Sequence, residues 1–158
     1  MGKPLPYVIR YHFSQHFAVS AQTAYAWCTD FTPNDYAIMG KGNAKREVMW
    51  LTDSTFFVKD TFPTSDGEVE KRKLVQLYPD RLTWVSTHLS GLNKYSQFIY
   101  EISAKGDCAS QLDFNALHIE HQGNIVEKSV KLMAEKLCKT DSNVWKLLSE
   151  VMEKEHTQ

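Results

Sequence analysis

The sequence predicts an α+β fold: a curled, seven-stranded antiparallel sheet wrapped around one long C-terminal helix, with two short helices after the first strand. Three observations carry this. The first apolar run alternates with period two, the middle is a series of strand-like runs broken by turn residues, and the last thirty residues carry one apolar stripe at helical spacing.

Residues Tyr7 to Val19 alternate. Tyr7, Ile9, Tyr11, Phe13, Phe17 and Val19 share one face; Arg10, His12, Ser14 and His16 share the other. Gln15 is the polar exception on the apolar face. Ser20 then caps a helix whose apolar face is Ala24, Trp27, Cys28 and Phe31, with Val19 placed to staple against Ala24. Thr32 and Pro33 restart the count, and a second short helix runs to Met39 and stops at Gly40.

Six strand-like runs follow: Ala44 to Leu51, Thr55 to Phe62, Glu68 to Tyr78, Arg81 to Leu89, Tyr95 to Ser103 and Cys108 to His121. Asp66-Gly67, Pro79-Asp80, Ser90-Gly91 and Lys105-Gly106-Asp107 are turn signals between them. Connections this short make neighbours antiparallel. From Asn124 to about Glu155, Val126, Val130, Met133, Leu137, Val144, Leu148 and Val151 form the stripe, and Asn124 with Glu127 fits a capping box. Such a helix is roughly 45 Å long. It needs a partner surface of similar length, and the concave face of a twisted sheet supplies one. The last three turns, from Val144 to Met152, are expected to plug the sheet. The first half, with Ser129, Met133, Ala134 and Cys138, is expected to line any pocket.

Composition fits one domain spanning residues 1–158, with 42% hydrophobic and 23% charged residues. A net charge of -1 argues against nucleic acid and anionic membranes as partners. No apolar run reads as a signal peptide or a membrane span, and Pro6 removes the myristoylation pattern begun by Gly2. Cys28, Cys108 and Cys138 are odd in number and far apart, which suits reduced thiols in a cytoplasm rather than disulfides or zinc. The oligomeric state is expected to be monomer or homodimer.

Several segments carry a resemblance: Phe17-Ala18-Val19-Ser20-Ala21 leading into Tyr25-Ala26-Trp27, then Tyr78-Pro79-Asp80-Arg81-Leu82-Thr83-Trp84, then the long final helix. With this element order the chain resembles the helix-grip (SRPBCC) superfamily. That group includes START lipid-transfer domains, the birch-pollen allergen family and polyketide cyclase/dehydrase-like proteins. It looks closest to the bacterial and archaeal cyclase/lipid-transport group, and the motif typical of the chaperone-ATPase activators is not evident. Fatty-acid-binding barrels share the two early helices but have more strands and no long terminal helix. The resemblance implies a cavity between sheet and helix for a small hydrophobic molecule: a lipid, isoprenoid, sterol-like or aromatic polyketide molecule.

By alternation the concave face should present Tyr11, Phe13, Trp84, His88, Phe98, Tyr100, Phe114 and His118, with Met133 and Leu137 facing them from the helix. These are the expected ligand contacts, and packing of an ordinary core is the alternative use of the same residues. His88 and His118 end their rows and are the candidate acid–base residues of a cyclase or dehydratase. Gln15, Lys59, Arg72 and Gln76 are further polar candidates. Glu68, Glu70, Lys71, Arg72 and Lys73 are expected to form a solvated strand surface. No cofactor and no metal are expected. His12 and His16 lie about 13 Å apart on a strand, too far for one ion, and His118 and His121 point to opposite faces. No nucleophile elbow, phosphate loop or dinucleotide glycine pattern occurs. Gly40 and Gly42 permit motion in the loop after the second helix, a candidate gate. A protein-interaction module with a filled cavity is a third reading.

Overall fold

The computed structural model describes residues 6–32, 34–40, 42–121 and 127–157. Strand β1 (Tyr7–Phe17) is followed by helices α1 (Ala21–Cys28) and α2 (Asn34–Ile38). Strands β2 (Lys45–Trp50), β3 (Thr55–Thr64), β4 (Gly67–Tyr78), β5 (Thr83–His88), β6 (Gln97–Gly106) and β7 (Ala109–Glu120) lead to helix α3 (Glu127–His156). All seven strands form one antiparallel sheet in the order β1-β7-β6-β5-β4-β3-β2. The sheet curls, and α3 lies along its concave side.

Most boundaries match the sequence. The Ser20 hydroxyl caps α1 by accepting from Thr23 N, and Val19 and Ala24 are buried in one cluster. Two ends differ. The first strand stops at Phe17, because Val19 O is taken by the Ser110 hydroxyl at 2.9 Å and the chain turns into α1. The Pro79-Asp80 turn is a 3-10 turn extending through Arg81, so β5 begins at Thr83. Leu82 adopts a left-handed φ of 48°, and its carbonyl accepts from Ile102 N. Asn124, Val126, Pro33 and Lys41 lie outside the described residues, and with them the predicted capping box and the middle of the candidate gate.

Register sorts the concave face into transverse rows. Leu77, Trp84, Tyr100, Phe114 and Phe13 pair successively across five strands. The next row is Trp50, Phe56, Val75, Ser86, Phe98, Ala116 and Tyr11. Two residues further along, Val58, Lys73 and His88 pair, with His118 opposite Ile9 on the far side. Arg46, Asp60 and Lys71 form a last, short row. Successive rows are about 7 Å apart along the strands. The face therefore grades from aromatic to charged.

At the aromatic end the core closes. Phe17, Ala24, Leu112 and Met152 are fully buried there, with Trp84 and Ile102 nearly so. Helix α3 is tied along β1 and α1 by side chains. Tyr11 OH donates to Asp141, Gln15 Nε2 to Ser149 Oγ at 3.3 Å, Ala18 N to Glu153 at 2.9 Å and Trp27 Nε1 to Glu155 at 2.7 Å. Gln15, the polar exception on the apolar face, is thus a helix anchor. Leu132, by contrast, is 58% exposed near the helix start.

Met152→Ala should cost about 2–5 kcal/mol of stability through the cavity it leaves. Leu132→Ala should stay within about 0.5 kcal/mol. Urea denaturation of the two variants checks the difference.

Candidate functional site

Between the sheet and α3 lies a cavity of about 400 Å³, within the range used for small-molecule sites. Of the expected contacts, Tyr11, Trp84, His88, Phe98, Tyr100, Phe114, His118 and Leu137 line it. Phe13 and Met133 do not. Phe13 stacks on Phe114 with centroids 4.6 Å apart, backing the wall from the β1 side. Met133 sits a turn before Leu137, towards the exposed start of α3.

The helix side corrects one expectation. Val144, Trp145 and Leu148 line the void together with Leu137 and Asp141. The expected division of the helix is overturned: Ser129, Met133, Ala134 and Cys138 do not line the cavity, and the tight plug narrows to Ser149 and Met152. The reason is the bulk of the aromatic residues in between. Trp145 rests against Phe17, Trp84 and Tyr100 at 5.8–6.4 Å between centroids, which props the helix away from the sheet.

The aromatic wall is continuous. Trp84 and Tyr100 stack in parallel at 4.6 Å, Tyr100 meets Phe114 edge-on at 5.1 Å, and Phe98 stacks on Phe114 at 5.8 Å. Among the described residues, Ser86 Oγ is buried without a hydrogen-bond partner, between Trp84 and His88 on this face. An unspent hydroxyl there is a ready contact for a polar ligand atom.

The opposite end is charged. Arg46 and Asp60 are a buried pair, their side chains 4% and 3% exposed, joined Nε to Oδ1 at 2.7 Å. Arg46 also reaches Asp35 at 3.2 Å and the Tyr36 hydroxyl at 2.8 Å, and Tyr36 donates to Asp60. Its guanidinium lies over the Tyr36 ring at 4.5 Å. Lys73 stands 3.9 Å from Asp60 with a side chain 22% exposed. It was expected on a solvated surface. The alternation of β4 puts Lys71, Lys73 and Val75 on the concave face, where Lys73 is half-buried; Glu68, Glu70, Lys71 and Arg72 are exposed as expected.

Burial shifts several of the titratable groups here. It brings Lys73 down to about 8, with Arg46 and Lys71 adding repulsion. It pushes Asp35 up to about 6 despite Arg46. His88 is brought down to about 4 by burial and by Lys73 and Lys71, so its imidazole is neutral at neutral pH. Burial raises the Asp141 carboxyl and, helped by Asp141, keeps the Tyr11 phenol protonated. His118 is buried and its Nε2 lies 3.2 Å from Glu120.

The other polar candidates serve the sheet. Lys59 pairs with Glu47 at 2.5 Å and Arg72 with Glu70 at 2.8 Å, while Gln76 bonds Thr55 and Ser54. The cluster of Asp35, Tyr36, Arg46, Asp60 and Lys73 escaped the sequence reading. Apolar residues at both parities hide which way β3 and β4 face. Only the alternation of Phe56, Val58, Asp60 and Phe62 could have shown that an acid stands in an apolar row. Among the described residues, no three His, Cys, Asp or Glu side chains gather as metal ligands. No described helix is long and apolar enough to cross a membrane.

No protein-family model matches the chain, and no curated protein does. Solved structures do. The Zhui aromatase/cyclase from Streptomyces sp. R1128 is 11% identical, with 94% of this chain and 95% of that chain covered and a TM-score of 0.73. Norcoclaurine synthase from Thalictrum flavum, in complex with dopamine and hydroxybenzaldehyde, is 12% identical over 96% and 89%, with a TM-score of 0.69. Ara h 8.0201 is 10% identical over 92% and 98%, with a TM-score of 0.66. The chain has the helix-grip fold, as its sequence predicts.

Asp60→Ala should cost about 3–5 kcal/mol, because it leaves Arg46 buried beside no full partner. Replacing both residues by Met and Leu should recover much of that in a denaturation series. NMR titration should find the His88 ring neutral down to about pH 4. In the unfolded chain that ring takes up its proton near its ordinary value of 6.5, so falling pH through this window favours unfolding. Asp35 works the other way, since the native state keeps its proton from 3.8 up to about 6. Relative to the parent, His88→Asn should therefore lose stability as pH rises from about 4 to 6.5, read by urea midpoints.

Proposed function

We propose that this protein binds and carries a small hydrophobic molecule in the cavity between the sheet and α3. A lipid, an isoprenoid, a sterol-like molecule or an aromatic polyketide is the class of ligand. The observation that carries the reading is the cavity of about 400 Å³ with stacked Trp84, Tyr100, Phe114 and Phe98 along one wall. A flat apolar ligand would gain about 25 cal/mol for each Å² of its surface removed from water there. Tyr11, His88, His118 and Ser86 would orient it by hydrogen bonds, and Leu137 would close over it. The norcoclaurine synthase complex supports the reading, since that protein has the same fold and holds ring compounds.

The second reading is an acid–base enzyme of the cyclase/dehydratase type, and a specific observation favours it. The Tyr11 hydroxyl and Asp141 carboxylate are hydrogen-bonded at the cavity wall. His88 is a weak base on this reading, because its proton is held only below about pH 4. Asp35 at about 6 and Lys73 at about 8 lie closer to a working pH.

Native mass spectrometry of protein purified from its own cells, followed by organic extraction, should find an apolar molecule bound. The neutral dye N-phenyl-1-naphthylamine should fluoresce with the protein, and Leu137→Trp should weaken that binding about tenfold by filling the cavity. No copurifying molecule and no dye binding would overturn the carrier reading. For the enzyme, the methylene protons of benzoylacetone should exchange with deuterium faster than in buffer, and Asp35→Asn should slow them. An unaccelerated exchange removes that reading.

A further inference from the structure

We infer that the ligand is an amphipathic anion, its aromatic or apolar body on the Trp84–Tyr100–Phe114 wall and its oxyanion between Lys73 and Lys71. The inference rests on the proposed use of the cavity as a ligand site and names the class of ligand that site takes.

Both lysines lie on the concave face and line the cavity, Lys73 half-buried and Lys71 exposed at its mouth. Among the described residues no carboxylate stands within ion-pair reach of Lys71, whose ammonium lies over the Phe62 ring at 5.3 Å. Among the described residues the carboxylate in ion-pair reach of Lys73 is Asp60, at 3.9 Å, and Asp60 already accepts from Arg46 and Tyr36. The acids that would repel an anion are otherwise engaged. Asp35 pairs with Arg46, and Asp141 accepts from Tyr11 on the helix side.

The positive field is felt locally. Besides burial, Lys73 and Lys71 both disfavour a proton on His88, and Arg46 and Lys71 disfavour the charge on Lys73 itself against the opposing pull of Asp60 and Asp35. An incoming anion would relieve each of these repulsions. Spacing sets the shape of the ligand. Measured along the strands, the row of Lys73 lies about 7 Å from the row of Ser86 and Phe98 and about 13 Å from the row of Trp84 and Tyr100. A headgroup held by the lysines therefore leaves one or two ring widths of body on the aromatic wall. The neutral His88 ring and the Asn93 amide beside it can complete the hydrogen bonds of the oxyanion from its edge.

Two dyes with one aromatic body separate the cases: 8-anilinonaphthalene-1-sulfonate and its neutral analogue N-phenyl-1-naphthylamine. The sulfonate should bind about tenfold tighter or better. Lys73→Met and Lys71→Met should each weaken the sulfonate several-fold and leave the neutral dye within about twofold. Binding of the sulfonate should also move the NMR titration of His88 upward. Equal affinity for the two dyes, or an unmoved His88 titration, overturns the anionic ligand while leaving the cavity reading standing. If neither dye binds, or if Leu137→Trp leaves both unaffected, the cavity reading itself falls. Should Lys73→Met fail to fold, the two-dye comparison and the His88 titration on the parent protein still decide.

Discussion

The way α3 is pinned to β1 governs the rest of the molecule. A long helix laid on a curled sheet either sinks onto it along its whole length or is held away over part of it. Here the end is sunk, with Met152 fully buried among Phe17, Trp84 and Leu112. The middle is held off by the ring of Trp145 and by the Tyr11–Asp141 bond. The same ties that dock the helix therefore define a wall of the cavity. An isolated helix with this many charges has little reason to persist in water, so its order and the cavity are acquired together.

Desolvation is the second constraint. A cavity that excludes water on one side raises the cost of every charge placed beside it. The structure meets that cost at the Arg46–Asp60 pair by satisfying both partners, with Tyr36 and Asp35 completing the network. At Lys73, Asp35 and His88 the cost is only partly met, and all three are pulled towards their neutral forms. Groups left in that state respond most to an incoming ligand, whether it is carried or transformed.

Much of the architecture was legible in the chain. Period two in Tyr7–Phe17, regular turn residues and a thirty-residue stripe are enough to order the elements, because each arises from local geometry. The same alternation placed Tyr11, Trp84, Phe98, Tyr100 and Phe114 on one face. Alternation failed where a strand carries apolar residues at both parities, as in β3 and β4. Lys73 and Asp60 could not be oriented there, and a charged run looked like solvated surface. The extent of the helix plug was also misjudged. The residues of the stripe do not say how far a bulky Trp145 between them lifts the backbone.

By itself, then, the sequence determined the succession of strands and helices, the face each strand buries and the seam along which the last helix docks. Those follow from periodicity and turn chemistry, which act between near neighbours. Only the tertiary structure decided where helix and sheet part, which charges face the gap and how far their proton affinities move. These depend on register between strands distant in the chain and on the water excluded when α3 closes over them.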